Sequence, residues 1–149
     1  MVTHIDESIL AVDDERDVIR CINKFFAAID TKQYAVARAL LTDTVHFDYS
    51  KDGMGMPSDA SELVQQTADA FAAYGSVQHT TLNHVVSGSG DCAEVHANYI
   101  AYCTAPGSQN PVWWMGGRYH LILTRTKGTW QITANTKYPS WNEGGPISP

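Results

Sequence analysis

The sequence predicts an α+β fold, a cone-shaped, curved antiparallel (mixed) β-sheet packed on about three N-terminal helices and enclosing a pocket. Three observations predict it. Apolar residues recur at helical spacing through the first half of the 149-residue chain and at period two through the second. Helices first and strands last suit a sheet covered on one face. The strands span about 10–15 residues, long for so small a chain, so they must bend over the helices and leave a cavity between the layers.

The first helix starts at the N-cap candidates Asp13 or Asp14, with acidic Glu15 and Asp17 suiting a helix start. Val18, Ile22, Phe25, Phe26 and Ile29 then form one apolar stripe that runs to about Asp30. A short second helix follows over roughly 33–41. Val45, Phe47 and Tyr49 alternate with His46 and Asp48 as a strand. The loop 51–57 contains Met54 and Met56, which are candidates for an adaptable pocket entrance, an exposed loop being the plainer reading. Ser58 or Asp59 caps a third helix, with Glu62 three residues beyond Asp59. Its inner face carries Leu63, Thr67, Ala70, Phe71 and Tyr74, and Gly75 ends it. Four strands complete the chain at about 77–87, 91–104, 112–126 and 129–138, joined by turn compositions. Trp130, Ile132 and Ala134 read as core of the last strand. Residues 1–12 read as a flexible arm and 139–149 as a C-terminal tail whose Trp141 closes the pocket mouth or packs on the surface; the whole is expected to form a single domain.

Composition narrows the function classes. Hydrophobic residues make up 44% and charged residues 17%, a globular balance. The ten Lys and Arg are scattered in a chain of formal charge −6, so no nucleic-acid partner is expected. No segment approaches the roughly 20 apolar residues of a membrane span, so no membrane partner is expected either. The acidic start, Met1 to Asp14, lacks the order of a signal peptide. Cys21, Cys92 and Cys103 have no CxxC spacing and read as free core thiols in a reducing compartment, which points to the cytoplasm. There is no HxH, no HExxH, no Gly-rich phosphate loop and no GxSxG, so no metal and no cofactor is expected.

Several stretches, in order, resemble the SnoaL-like (nuclear transport factor 2-like) superfamily. Phe25 to Tyr34 is similar to the end of that group's first helix, Val45 to Tyr49 to its first strand and Gln78 to Val86 to the following strand. Gly117-Arg118-Tyr119 and Gly128 to Ile132 are similar to its last two strands. The pattern is closest to scytalone dehydratase and bile-acid dehydratases. That resemblance implies a site built from an Asp ending helix one, a Tyr on the first strand and a His on the next long strand, here Asp30, Tyr49 and His79. The Tyr that precedes the Asp in scytalone dehydratase is Ile29 here, and a second His of that group falls near Arg118 or His120.

The residues carry a chemistry of their own. An Asp30 carboxylate at the end of an apolar stripe can face inward. His79 shares a strand face with Val77, Thr81, Asn83 and Val85, and if that face lines the cavity it meets Asp30. A carboxylate that accepts a proton from one imidazole nitrogen makes the other a better base. That base can take a proton from a carbon next to a carbonyl while the Tyr49 phenol stabilises the resulting enolate-like charge. Asn83 can orient a ligand. On the penultimate strand Trp114, Arg118 and His120 share one face, and Trp113, Met115, Tyr119 and Leu121 the other; the alternation alone does not say which faces the cavity.

The sequence therefore points to a cofactor-independent lyase or isomerase, dehydratase-like, acting on a small, cyclic, apolar molecule such as a polyketide, terpenoid or steroid-like ketone. The expected catalytic residues are Asp30, His79 and Tyr49, and the expected substrate-binding residues Asn83, Arg118, His120 and Trp114. Two rivals share the fold: a pocket that binds without catalysis, and a module for association. A homodimer or higher homo-oligomer is expected, since Val95, Tyr99, Ile100 and Tyr102 put apolar residues on both faces of one strand.

Overall fold

A computed structural model of the chain describes residues 8–146. The expected arm therefore lies mostly outside the described residues, as does the end of the tail. Helix α1, Val12–Asp30, begins one turn earlier than its acidic residues suggest. Asp13, Asp14 and Glu15 occupy its first turn and meet the positive end of the helix dipole, while Ala11 stands at the cap position without a side-chain bond. The stripe Val18, Ile22, Phe25, Phe26 and Ile29 is buried throughout. Helix α2, Tyr34–Ala39, is one short segment. Strand β1 spans Leu41–Asp48, so Tyr49 falls just past its end, where it bridges to Met54. A 3₁₀ turn, Ser50–Asp52, follows. Helix α3, Ala60–Phe71, is capped by Asp59, whose carboxylate accepts from the backbone N–H of Ser61 and Glu62. It ends before Gly75, and Tyr74 is buried in the turn beyond it.

Strands β2 (Val77–Ser89), β3 (Cys92–Thr104), β4 (Pro111–Thr126) and β5 (Thr129–Gly144) form an antiparallel meander. Strand β1 adds parallel to β5, giving one mixed sheet of order β1-β5-β4-β3-β2. The sheet is open, and its concave face packs on the helices. Val95, Tyr99, Leu121, Leu123 and Ile132 point into the core there. None of the described helices is long and apolar enough to cross a membrane.

The structure corrects four expectations, two of them through irregularities in the ladder. Asn83 has φ +53° and sits in a bulge between Leu82 and Val85. The extra residue turns Val85 outward and brings His84 to the side of Thr81, whose hydroxyl lies 3.0 Å from its Nε2. A second shift, between Ile122 and Leu123, pairs Ala134 with Ile122 on the outer face and turns Asn135 and Lys137 inward. The expected tail is strand as far as Gly144, with Trp141 opposite Gly116. A Cβ on Gly116 would come within 2.4 Å of the Trp141 ring, so only glycine lets the indole lie against this strand. Finally, Cys21 and Cys103 are buried, but Cys92 is exposed at the β2–β3 turn. All three are free thiols.

Candidate active site

Between the concave sheet and the helices lies a cavity of about 590 Å³. Helix α1 supplies Phe25, Phe26 and Ile29 to its wall, and α3 supplies Leu63, Thr67 and Phe71. Met54 and Met56 line it from the loop before α3, as the sequence suggests for an entrance. From the sheet come His79, Cys103, Trp113, Met115, Tyr119 and Lys137. The wall is overwhelmingly apolar with a few polar groups, which is how small-molecule sites are generally built.

The end of α1 and the start of β2 meet at one carboxylate. The Asp30 Oδ1 lies 2.6 Å from His79 Nδ1, and Oδ2 accepts the His79 backbone N–H at 2.7 Å. Both side chains are largely enclosed, at 10% exposure for His79 and 16% for Asp30. Two bonds from one carboxylate fix both the strand and the ring it carries. The imidazole is flanked by the rings of Phe26 at 5.2 Å and Phe71 at 5.9 Å, which hold its plane. Nδ1 is engaged by Asp30, so Nε2 is the nitrogen left for chemistry.

Tyr49 lines the same cavity. Its oxygen accepts from Asn135 Nδ2 at 3.0 Å, and its ring stacks on that of Tyr119 at 6.5 Å. Burial pushes its phenol well above the ordinary tyrosine value, so it stays protonated and able to donate. Tyr119 is raised for the same reason and stacks on Tyr99 at 4.2 Å. Burial likewise raises Tyr99.

The structure adds residues that the sequence reading left out. Lys137 is 6% exposed and ion-paired with Asp52 of the 3₁₀ turn. Its ammonium sits 5.4 Å from the Tyr49 ring and 5.3 Å from the Tyr99 ring and 3.2 Å from Met115 Sδ. Asn135 is fully buried beside Tyr49. The period-two pattern of β5, with Ala134 inward, points both of them outward. The bulge reverses this, because it shifts the inward set from Ala134 to Asn135 and Lys137.

Four expected binding residues lie elsewhere. Met115 and Tyr119 face the cavity, so Trp114, Arg118 and His120, at the alternate positions of β4, point to the outer face. Asn83 is exposed at its bulge and outside the cavity wall. Trp141 also lies outside the wall, against Gly116.

Solved structures share this architecture. A protein of Kribbella flavida, Kfla4162, superposes with a TM-score of 0.81 at 24% identity, covering 88% of this chain and 93% of its own. A candidate scytalone dehydratase from Novosphingobium aromaticivorans also gives 0.81, at 12% identity over 92% of this chain and 91% of its own. A hexachlorocyclohexane dehydrochlorinase, LinA type 2, gives 0.74 at 12% identity over 91% and 94%. At these identities the likeness is one of fold. No curated protein matches the chain. The model of the SnoaL-like domain matches residues 11–136, from the first turn of α1 into the last strand, and on that match the chain belongs to the SnoaL-like family.

Proposed function

We propose that the cavity is the active site of a cofactor-independent lyase or isomerase of the dehydratase kind, acting on a cyclic, largely apolar ketone. The observation that carries the proposal is the 2.6 Å contact between Asp30 and His79, whose ring lines the cavity. Asp30 accepts the Nδ1 proton and leaves the Nε2 lone pair toward the ligand. Nε2 removes a proton from the carbon next to the carbonyl, and the C–H electrons become an enolate. Tyr49 donates to the enolate oxygen, since its own oxygen already accepts from Asn135. The Lys137 ammonium adds positive potential beside that phenol. Expulsion of a β-hydroxyl, protonated by the imidazolium, completes a dehydration; return of the proton to another carbon completes an isomerisation. Two structures of this fold carry the names dehydratase and dehydrochlorinase, which supports an elimination.

The test is exchange of α-hydrogens for deuterium in a panel of cyclic ketones and β-hydroxyketones, followed by NMR. Wild type is expected to exchange or eliminate with at least one of them, and His79→Ala to lose about 10²–10⁴ of that rate. An unchanged rate in His79→Ala would refute the acid–base role. One observation favours a second reading. Ile29 puts an apolar wall where the dehydratase pattern has a Tyr, which supports a pocket that binds its ligand without turning it over. Ligand affinity that survives His79→Ala, with no exchange in wild type, selects it. A homodimer through the outer sheet face is proposed with either reading, supported by exposed Leu82, Val85 and Tyr102.

A further inference from the structure

The outer face of the sheet, opposite the cavity, carries a second cluster of chemistry-bearing side chains. Glu94 and His96 are two apart on β3 and so project to the same side. His120 on β4 is the direct cross-strand partner of His96. Directly opposed Cβ atoms are about 4.5–5.5 Å apart, and residues two apart about 6.5–7 Å, so three side chains in this pattern can converge on one point. They do. His120 Nε2 lies 2.6 Å and His96 Nε2 3.4 Å from the same oxygen, Glu94 Oε1. The two rings are parallel within 3° at a centroid separation of 4.5 Å, and all three donor atoms fall within 4.8 Å of one another.

We propose that Glu94, His96 and His120 form a binding site for a divalent transition ion of borderline softness, zinc above all. Three arguments carry it. The donor set, two imidazoles and one carboxylate, is one that zinc takes with a fourth position left for water. A tetrahedral ion with donors at 2.0–2.2 Å sets them about 3.3 Å apart, a spacing the Glu94 distances of 2.6 and 3.4 Å bracket. Third, the cluster is unsatisfied as it stands. Glu94 Oε1 accepts from His120, but the buried Nε2 of His96 has no hydrogen-bond partner among the described residues. The two atoms face each other at 3.4 Å without a hydrogen bond, and a cation between them would satisfy both. Arg118 flanks the cluster on the same face and is exposed in the single chain. No linear motif announces the site, because it exists only through the register of β3 and β4. It lies across the sheet from Asp30 and His79, so it stands or falls independently of the proposed function.

The test is calorimetric titration of the chelator-treated full chain with zinc, alongside ¹⁵N–¹H imidazole NMR. Expected is saturable one-to-one binding at micromolar zinc, with the Nε2 signals of His96 and His120 shifted together. His120→Ala and Glu94→Gln should each weaken binding at least tenfold, roughly the loss from disturbing even the supporting residues of a metal site. Cys92→Ser should leave binding unchanged. A near-saturating excess, about a hundredfold over Kd, should raise Tm by on the order of 5 °C. No saturable binding, affinity that survives Glu94→Gln and His120→Ala, or loss of binding in Cys92→Ser overturns the proposal. Circular dichroism of each variant separates a lost ligand from a lost fold.

Discussion

Asp30 does two things with one carboxylate, and the two can be separated by substitution. Asparagine keeps an oxygen for the His79 backbone N–H but cannot take the Nδ1 proton as a charged acceptor. Asp30→Asn is therefore expected to leave the melting temperature near wild type while turnover in the deuterium-exchange assay falls about 10²-fold or more. A variant that loses stability and activity in proportion would assign Asp30 to structure alone. Lys137 poses the opposite case. Its ammonium is buried against Asp52, so Lys137→Met strands a carboxylate that is itself only 18% exposed. Because Asp52 keeps some access to water, a loss on the order of 2–3 kcal/mol is expected from urea unfolding, with much of it recovered in Lys137→Met/Asp52→Asn. The thiols differ in the same environmental sense. Burial pushes Cys21 up to about 12 and Cys103 up to about 11, whereas Cys92 is exposed. Since the thiolate is the reactive form, a disulfide reagent at pH 8 should modify one thiol per native chain and three after unfolding. Two fast-reacting thiols in the native chain would contradict this burial.

The strands carry the information that the sequence hid. Alternation predicts each of the four long strands and three helices, because core burial enforces period two or 3.6 wherever an element is regular. Asp30, His79 and Tyr49 were legible as candidates, from the resemblance and because each stands at or beside the end of a regular stripe. The rest depended on register. A bulge adds one residue and inverts every side chain beyond it, so Val85, Ala134, Asn135 and Lys137 all face opposite to simple alternation. The face of β4 could not be chosen from Trp113 or Trp114 alone, since both sides of the strand are apolar. The bulge at Asn83 also has a measurable consequence. Burial lowers His84 below its ordinary value of 6.5, so the unfolded chain takes up this proton at a higher pH than the folded one. Stability from this group is present above about 6.5 and falls as pH drops through that value, levelling off below the folded value. His84→Gln should flatten that part of the stability profile in urea titrations between pH 7 and 5; an unaltered slope would show that His84 is not the group responsible. On the central strand β4, Gly116→Ala should cost about 1–3 kcal/mol through overpacking against Trp141. Trp141→Ala should relieve most of it in the double variant, a coupling that a general loss of strand propensity would not produce.

At the scale of the molecule, the cavity is what the fold leaves unfilled, and that sets function against stability. Helices α1 and α3 stand off the concave sheet, and the wall between them is set largely by apolar side chains, with polar points that include Lys137, Tyr49, His79, Gln66 and Asp69. A chain selected for packing alone would close such a space, since cavities weaken the dispersion contacts of their lining. Filling it should therefore raise stability while it removes the site. Ala101 is the place to do so: it is buried, lies on the cavity wall and is the cross-strand neighbour of His79. Ala101→Phe extends a ring into open volume without replacing any polar group of the site. Expected is a melting temperature equal to or above wild type, together with loss of ligand binding and of α-hydrogen exchange, even though Asp30, His79 and Tyr49 are intact. Both are read on one sample, by calorimetry and by NMR. If Ala101→Phe instead destabilises the chain, side-chain motion already fills the cavity in solution. If it leaves turnover unchanged, the reaction takes place elsewhere, and the Asp30–His79 pair is a brace between α1 and β2 rather than the catalytic centre.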